Sequence, residues 1–307
     1  MSYLVQKIMQ RVRLSMSRDL QNLKYLLGQN SILTSRSMSE KFVNLWDAEV
    51  KVFSQWGEDG ILDFLCEKIG LTKPRVLEIG AGNFTECNSR FLVENRNASA
   101  VLVDGRKDLI LNINSNSLKW KTHIFAVEEW VTSKNINEII RSAKNKISTI
   151  DIFSIDLDGN DYWIVEAADL YGIQVVVVEY NPLFGSDFAV SVPSDDYFNR
   201  ATKHYSCLYY GASLTAFNHI LNQKGFSFVG SNRVGNNAFF VRQEIVEKIN
   251  LPVPSDLSLY TDWRIRESRD SSGKLNYISG SDRLKEIRDL PLKDVINKID
   301  IKVMDII

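Results

Sequence analysis

Cysteine is scarce in this chain. Only Cys66, Cys87 and Cys207 occur among 307 residues, far apart and without CxxC spacing. A sparse, odd set excludes a disulfide framework or a cysteine zinc site and fits reduced thiols. Net charge is also nearly absent, because 37 Lys and Arg face 38 Asp and Glu, leaving a formal −1. No whole-protein field therefore draws the chain to nucleic acid. No uninterrupted apolar run is long enough to span a bilayer. The N-terminus lacks the compact apolar stretch of a signal peptide, since Lys7, Arg11 and Arg13 interrupt it. Internal repeats and low-complexity tracts are missing too. What is present, 44% hydrophobic and 24% charged residues, is the composition of a globular protein, expected in the cytoplasm.

The richest segment runs from Arg75 to Asn88. Its apolar stretch Val76–Ile79 ends in Gly80-Ala-Gly82, and a helix-starting segment with Thr85 and Asn88 follows. A buried strand, a glycine turn and a helix N-terminus form the place where open α/β sheets bind nucleotides. The next strand, Ala98 to Val103, ends in Asp104, which is placed to accept hydrogen bonds from ribose hydroxyls. Two details oppose a dinucleotide. The loop lacks the third glycine of that fingerprint, and Glu78 would repel a pyrophosphate but suit a cationic ligand. S-adenosylmethionine, with an ammonium group and no phosphate, meets that description.

Along the chain, Leu4, Ile8, Val12, Met16, Leu20, Leu23 and Leu27 recur at helical spacing, and Gly28 reads as a stop. Residues 1–30 carry a net +4. This helix is expected to pack on the main domain or pair with a second copy, with contact to an anionic membrane as the sharper reading. Residues 29–38, rich in Ser, Asn and Thr, read as a linker, and a short helix is expected around Glu40–Lys51. Strands are expected at 75–80, 99–104, 121–127, 150–156 and 173–180. Helices are expected at 85–95, 135–146, 160–170 and 212–224. A hairpin follows, Phe226–Gly230 with Ala238–Arg242. Two further helix patterns fall at Leu284–Leu290 and Leu292–Ile299. The expected fold is α/β, Rossmann-like, of the class I methyltransferase order. It has a mostly parallel seven-stranded sheet, a C-terminal antiparallel hairpin and helical appendages at both ends. Residues 51–250 form the main domain, with 1–50 and 251–307 as the appendages.

The chain resembles the FkbM-like branch of S-adenosylmethionine-dependent methyltransferases, a bacterial subgroup associated with polysaccharide biosynthesis. The resemblance is carried by Ser54-Gln-Trp-Gly-Glu-Asp-Gly-Ile61, Leu77–Gly82, Val103-Asp-Gly105, Ser154–Trp163, Val178-Glu-Tyr-Asn181, Tyr210–Ser213 and Asn237–Phe240, in order. It implies S-adenosylmethionine as cofactor, with Gln55 among the binding residues, Glu78 and the backbone at Gly80, Gly82 and Asn83 facing its methionine part, and Asp104 at its ribose. Glu128, at the end of the third strand, is expected near the adenine. The implied acceptor is a small molecule or glycan containing a sugar.

Methyl transfer to a hydroxyl needs a general base or a metal to remove the proton. Asp156, Asp158 and Asp161 follow the fourth strand, and Glu179 and Asn181 follow the fifth. Carboxyl ends of adjacent parallel strands converge on one crevice. Asp156, Glu179 and Asn181 are therefore expected to bind a divalent cation such as Mg²⁺. The bland alternative makes Asp158–Asp161 a helix-capping turn. Without a metal, Asp156, Asp158 or His204 is the candidate base, and His123 and His219 read as structural. Tyr197, Phe198, Tyr205, Tyr209 and Tyr210 form either a platform for a sugar ring or a core under a loop.

Overall fold

The computed structural model describes residues 3–115, 117–249, 251, 253–262 and 264–307, and only the backbone at 3–18, 115 and 117. Five parallel strands form its centre: β1 (Arg75–Ile79), β2 (Ser99–Asp104), β3 (Ile124–Glu128), β4 (Ile152–Ile155) and β5 (Val175–Glu179). The hairpin strands β7 (Phe226–Ser231) and β8 (Asn237–Arg242) complete a sheet of order β3-β2-β1-β4-β5-β8-β7. Strand β8 runs antiparallel to β5, with Glu179 opposite Asn237. This is the expected Rossmann-like order.

Period-two alternation divides the strand residues between two apolar layers. Leu77 and Ile79 pack with helices α5 (Ile136–Ile147), α6 (Asp161–Ala167) and α8 (Leu214–Gln223). Val76 packs on the opposite face with α2 (Glu58–Ile69), α3 (Arg90–Arg96) and α4 (Asp108–Ser115). Every residue of β5 is buried, because helices cover both faces. Helix α4 occupies a stretch for which the sequence reading has no element.

The N-terminal helix corrects two expectations. Helix α1 spans Tyr3–Met38, so Gly28 does not end it and residues 29–38 are not a linker. Gly28 lies against Val52, where a larger residue would collide. Ser31 and Thr34 donate to the carbonyls of Leu27 and Asn30 within the helix. Arg36 then anchors its end to buried Asp63, which also pairs with Arg96. Leu20, Leu23 and Leu27 of the apolar stripe are exposed, so this part of it does not pack on the rest of the chain. The side chains of Leu4, Ile8, Val12 and Met16 lie outside the described residues. Two short 3₁₀ turns, Ser39–Lys41 and Leu45–Ala48, stand where one helix was expected. Among the described residues, no helix is long and apolar enough to cross a membrane.

The C-terminal appendage is not all helical. One turn of helix, Asp282–Glu286, matches the first pattern. The second pattern instead forms strands β9 (Pro291–Asp294) and β10 (Ile299–Lys302), which pair antiparallel. Asp294 Oδ1 accepts from the Ile296 and Asn297 amides, and Lys298 adopts a left-handed φ of 59°. These turn preferences, with β-branched Ile299 and Ile301, outweigh the apolar spacing. Strand β9 also pairs with β6 (Val190–Ser191), tying the appendage to the segment between β5 and α8.

Candidate active site

A cleft of about 900 Å³ opens at the carboxyl ends of the parallel strands. Gly80 directly follows β1, Asp104 ends β2, Asp156 directly follows β4 and Glu179 ends β5, and all four line it. The β1 turn is tightly specified. Gly80 has φ 81°, and a Cβ there would run into the Asp156 carbonyl oxygen, well inside van der Waals contact. The Gly80 amide donates to the Val103 carbonyl at 2.9 Å. The Gly82 amide donates to Asp104 Oδ2 at 2.8 Å, and Arg106 N donates to Oδ1 at 2.9 Å. Two backbone donors thus orient the Asp104 carboxylate while it faces the cleft, with lone pairs remaining on both oxygens.

Glu78 is elsewhere, which corrects its expected place beside a cofactor. It is buried and does not line the cleft. Its oxygens accept from the Asn88 and Ser89 amides at 2.8 and 2.9 Å, capping the start of α3. Burial raises its carboxyl pKa, opposed by hydrogen bonds from Ser89 and Asn88. Asn83 is also turned inward on its own loop. Its side-chain oxygen accepts from the Thr85 amide at 3.0 Å, and it does not line the cleft. Glu128 is exposed at the end of β3 outside the cleft, whose wall is instead formed by the next residues, Glu129, Trp130 and Val131.

The loop before α2 supplies another wall. Gln55 and Trp56 line the cleft, while the acids beside them shape the backbone. Glu58 Oε2 accepts from the Trp56 and Gly57 amides, and Oε1 accepts from Asn232 and Asn237 side chains at 2.7 and 2.9 Å. Asp59 Oδ2 accepts from the Val52, Phe53 and Ser54 amides. Burial pushes the Asp59 carboxyl up to about 6, against those hydrogen bonds. The folded chain therefore holds this proton more tightly than the unfolded chain does. That contribution is present at acid pH and is lost as pH rises through about 6. Relative to Asp59→Asn, which has no such proton, wild-type stability should fall by roughly 1 kcal/mol between pH 5 and pH 8. Urea unfolding of both proteins at the two pH values checks this, and parallel pH profiles would rule it out.

On the far side, Asp161 folds back onto its own turn, accepting from the Leu157 and Gly159 amides, which precede α6. Asp158, at φ 55°, lines the cleft and pairs with Arg200 Nη1 at 2.9 Å. Asp158–Asp161 is therefore a turn, as the alternative reading has it, but neither acid caps α6. Burial, then the charges of Asp158 and Asp161, pushes the Asp156 carboxyl well above the aspartate range. Burial, then Asp156 and Asp158, does the same to Glu179. Asn181 does not join them. It is fully buried, and its amide nitrogen donates to the Leu208 and Tyr210 carbonyls while its oxygen caps Leu183 N. The three carboxylates that do meet are Asp156, Asp158 and Glu179, with ligand oxygens within 4.8 Å of one another.

No protein-family model and no curated protein sequence matches this chain. Among solved structures it is similar to an S-adenosylmethionine-dependent methyltransferase from Clostridium acetobutylicum, with 10% identity, TM-score 0.36, and 67% of this chain covering 96% of that one. A precorrin-6y C5,15-methyltransferase from Geobacter metallireducens shows 15% identity and TM-score 0.35, over 63% of this chain and 91% of the other. A fibrillarin/Nop5p complex shows 14% identity and TM-score 0.32, over 55% and 71%. Overlap this limited carries no functional argument for the present chain.

His204 is also displaced from its expected role. It stands outside the cleft lining, its Nδ1 is 2.7 Å from Ser206 Oγ, and its ring lies 4.2 Å from that of Tyr205. Burial lowers its pKa. Among the aromatics, Phe198, Tyr209 and Tyr210 are core under the loop, although Phe198 and Tyr210 also reach the cleft, and Tyr197 is exposed outside its lining.

Arg200 has no role in the sequence reading and is prominent here. Its guanidinium lies 3.9 Å over Tyr210, and its Nε donates to the Cys207 carbonyl. Burial opposes its charge, but Tyr210, Glu179 and Asp158 outweigh that and raise its pKa. Its only sequence signal is an arginine in an aromatic stretch after β5. Ile265, Glu267 and Arg269 bring the C-terminal appendage to the cleft as well, and no motif marks them.

Proposed function

We propose that the chain is an S-adenosylmethionine-dependent O-methyltransferase acting on a sugar-containing acceptor, a nucleotide sugar or a surface glycan, in the cytoplasm. The cap of Glu78 on α3 carries the cofactor assignment. In dinucleotide-binding folds the first helix N-terminus receives the pyrophosphate. Here no residue at the start of α3 lines the cleft, and the Asn88 and Ser89 amides are already taken by Glu78, so they are not open to a phosphate. S-adenosylmethionine brings positive charge and no phosphate, and its ribose hydroxyls suit the oriented carboxylate of Asp104.

The acids supply the second half of the chemistry. A methyl–oxygen bond forms in line as the methyl–sulfur bond breaks, S-adenosylhomocysteine leaves, and the acceptor proton passes to a carboxylate. Asp156 is half-buried on the cleft wall with a raised pKa, which makes it the better proton acceptor than ion-paired Asp158. The sugar part is supported by the ordered motif series and by the aromatic rings of Phe198 and Tyr210 on the same wall.

Calorimetric titration with S-adenosylmethionine, S-adenosylhomocysteine and NAD tests the cofactor. The first two should bind and NAD should not. Asp104→Ala should weaken binding roughly 10- to 100-fold, as expected for losing hydrogen bonds to a charged acceptor. Well-folded protein that binds NAD, or neither adenosyl compound, would make the reading untenable.

A further inference from the structure

We propose that Asp156, Asp158 and Glu179 form a site for one divalent, oxygen-preferring cation such as Mg²⁺ or Mn²⁺ on the cleft wall. Three carboxylates offer oxygens within 4.8 Å of one another. Oxygens sharing one ion stand at most about two bond lengths apart, roughly 4 Å for Mg²⁺ and 5 Å for Ca²⁺. The 4.8 Å bound falls inside the Ca²⁺ limit and above the Mg²⁺ one, so a smaller ion would draw the exposed Asp158 side chain inward while the strands stay in place.

A second observation is independent of the clustering. Glu179 is 93% buried, lines the cleft, and its Oε2 has no hydrogen-bond partner. A buried polar oxygen left unpaired is expensive, and such atoms normally mark a missing partner. The nearby cation does not supply it: Arg200 donates Nη1 to Asp158 and Nε to Cys207, with its face on Tyr210. One arginine thus stands beside three carboxyl groups, and a bound ion would favour the charged forms that burial disfavours.

The donor set selects the ion. All three ligands are carboxylates, with no histidine or cysteine in the group, which favours hard cations over zinc or copper. Three protein ligands leave open coordination positions for water or an acceptor oxygen. Use of those positions to hold the acceptor rests on the methyl-transfer reading, whereas ion binding itself does not.

Manganese titration of the full-length protein, followed by the electron paramagnetic resonance of free Mn²⁺, tests the site directly. Wild type should bind one ion per chain. Loss of the outer partners of metal ligands already weakens affinity 10- to 100-fold, so Glu179→Gln and Asp158→Asn should each weaken it more than about tenfold. Asp158 is exposed, so its variant keeps the test valid if Glu179→Gln misfolds. Asp282→Asn, an exposed acid paired only with Lys285 among the described ion pairs, should bind as wild type. Absence of Mn²⁺ binding by wild type at millimolar ion, or unchanged affinity in both site variants, would overturn the proposal. Calorimetry with S-adenosylmethionine on the same samples separates the two readings. Cofactor binding without Mn²⁺ binding removes the ion alone, and Mn²⁺ binding without cofactor binding removes the cofactor reading alone.

Discussion

Gly80→Ala is expected to lower the unfolding free energy by about 3 kcal/mol or more and to abolish cofactor binding. Two penalties combine at this residue. Its φ of 81° is left-handed, which for alanine costs roughly 1–2 kcal/mol. The added methyl also meets the Asp156 carbonyl, so β1 and β4 would have to part at the point where their ends build the cleft. Gly82→Ala is the natural comparison. It shares a positive φ of 57°, but a Cβ there has open space, so the strain of about 1–2 kcal/mol should be its whole effect. Urea unfolding of both variants, with calorimetry, measures the difference. Equal losses would mean that close approach of the two strands is not what Gly80 provides.

Glu58→Ala should destabilise the protein by about 4 kcal/mol. The Glu58 side chain is fully buried and accepts from two backbone amides and two asparagine side chains. Its removal leaves those donors unsatisfied, at roughly 1–3 kcal/mol for each that water cannot reach. The loop carrying Gln55 and Trp56 would also lose its tie to Asn232 and Asn237, so cofactor affinity should fall even where the sheet survives. Glu58→Gln retains one accepting oxygen and should lose about half as much. An alanine variant as stable as wild type would show that water satisfies these groups.

The sheet was legible because its signals are local. Val175–Val178 can hardly be anything but a buried strand, and the turn at Gly80 follows from residue type. Asp104 was legible for the same reason, as an acid ending a strand beside a glycine turn. Glu78 was not. Its partners, Asn88 and Ser89, lie ten and eleven residues on, and only the path of the intervening loop brings their amides back to it. Asn181 illustrates the same difficulty. Its position after β5 suits a ligand, but the carbonyls that hold it belong to Leu208 and Tyr210. Asp158 and Asp161 differ by three positions and take opposite roles, since one faces the cleft and the other folds onto its own turn. In the C-terminal region Leu292, Val295, Ile296 and Ile299 fit a helical stripe as well as they fit two strands. There, pairing with distant β6 decides between the two.

That pairing separates what the chain needs to fold from what it needs to recognise. The seven-stranded sheet ends at Arg242, yet Ile265, Glu267 and Arg269 still stand on the cleft wall. With Phe198, Arg200 and Tyr210, they complete the cleft wall on segments tied together through the small β6–β9–β10 sheet, the side that would meet the acceptor in the proposed reaction. On the proposed reading, acceptor preference can drift by change in these two segments while the glycine turn, Asp104 and the parallel strands stay untouched. An exchange of residues 251–307 between relatives of this architecture becomes a route to new acceptors on an inherited cofactor platform.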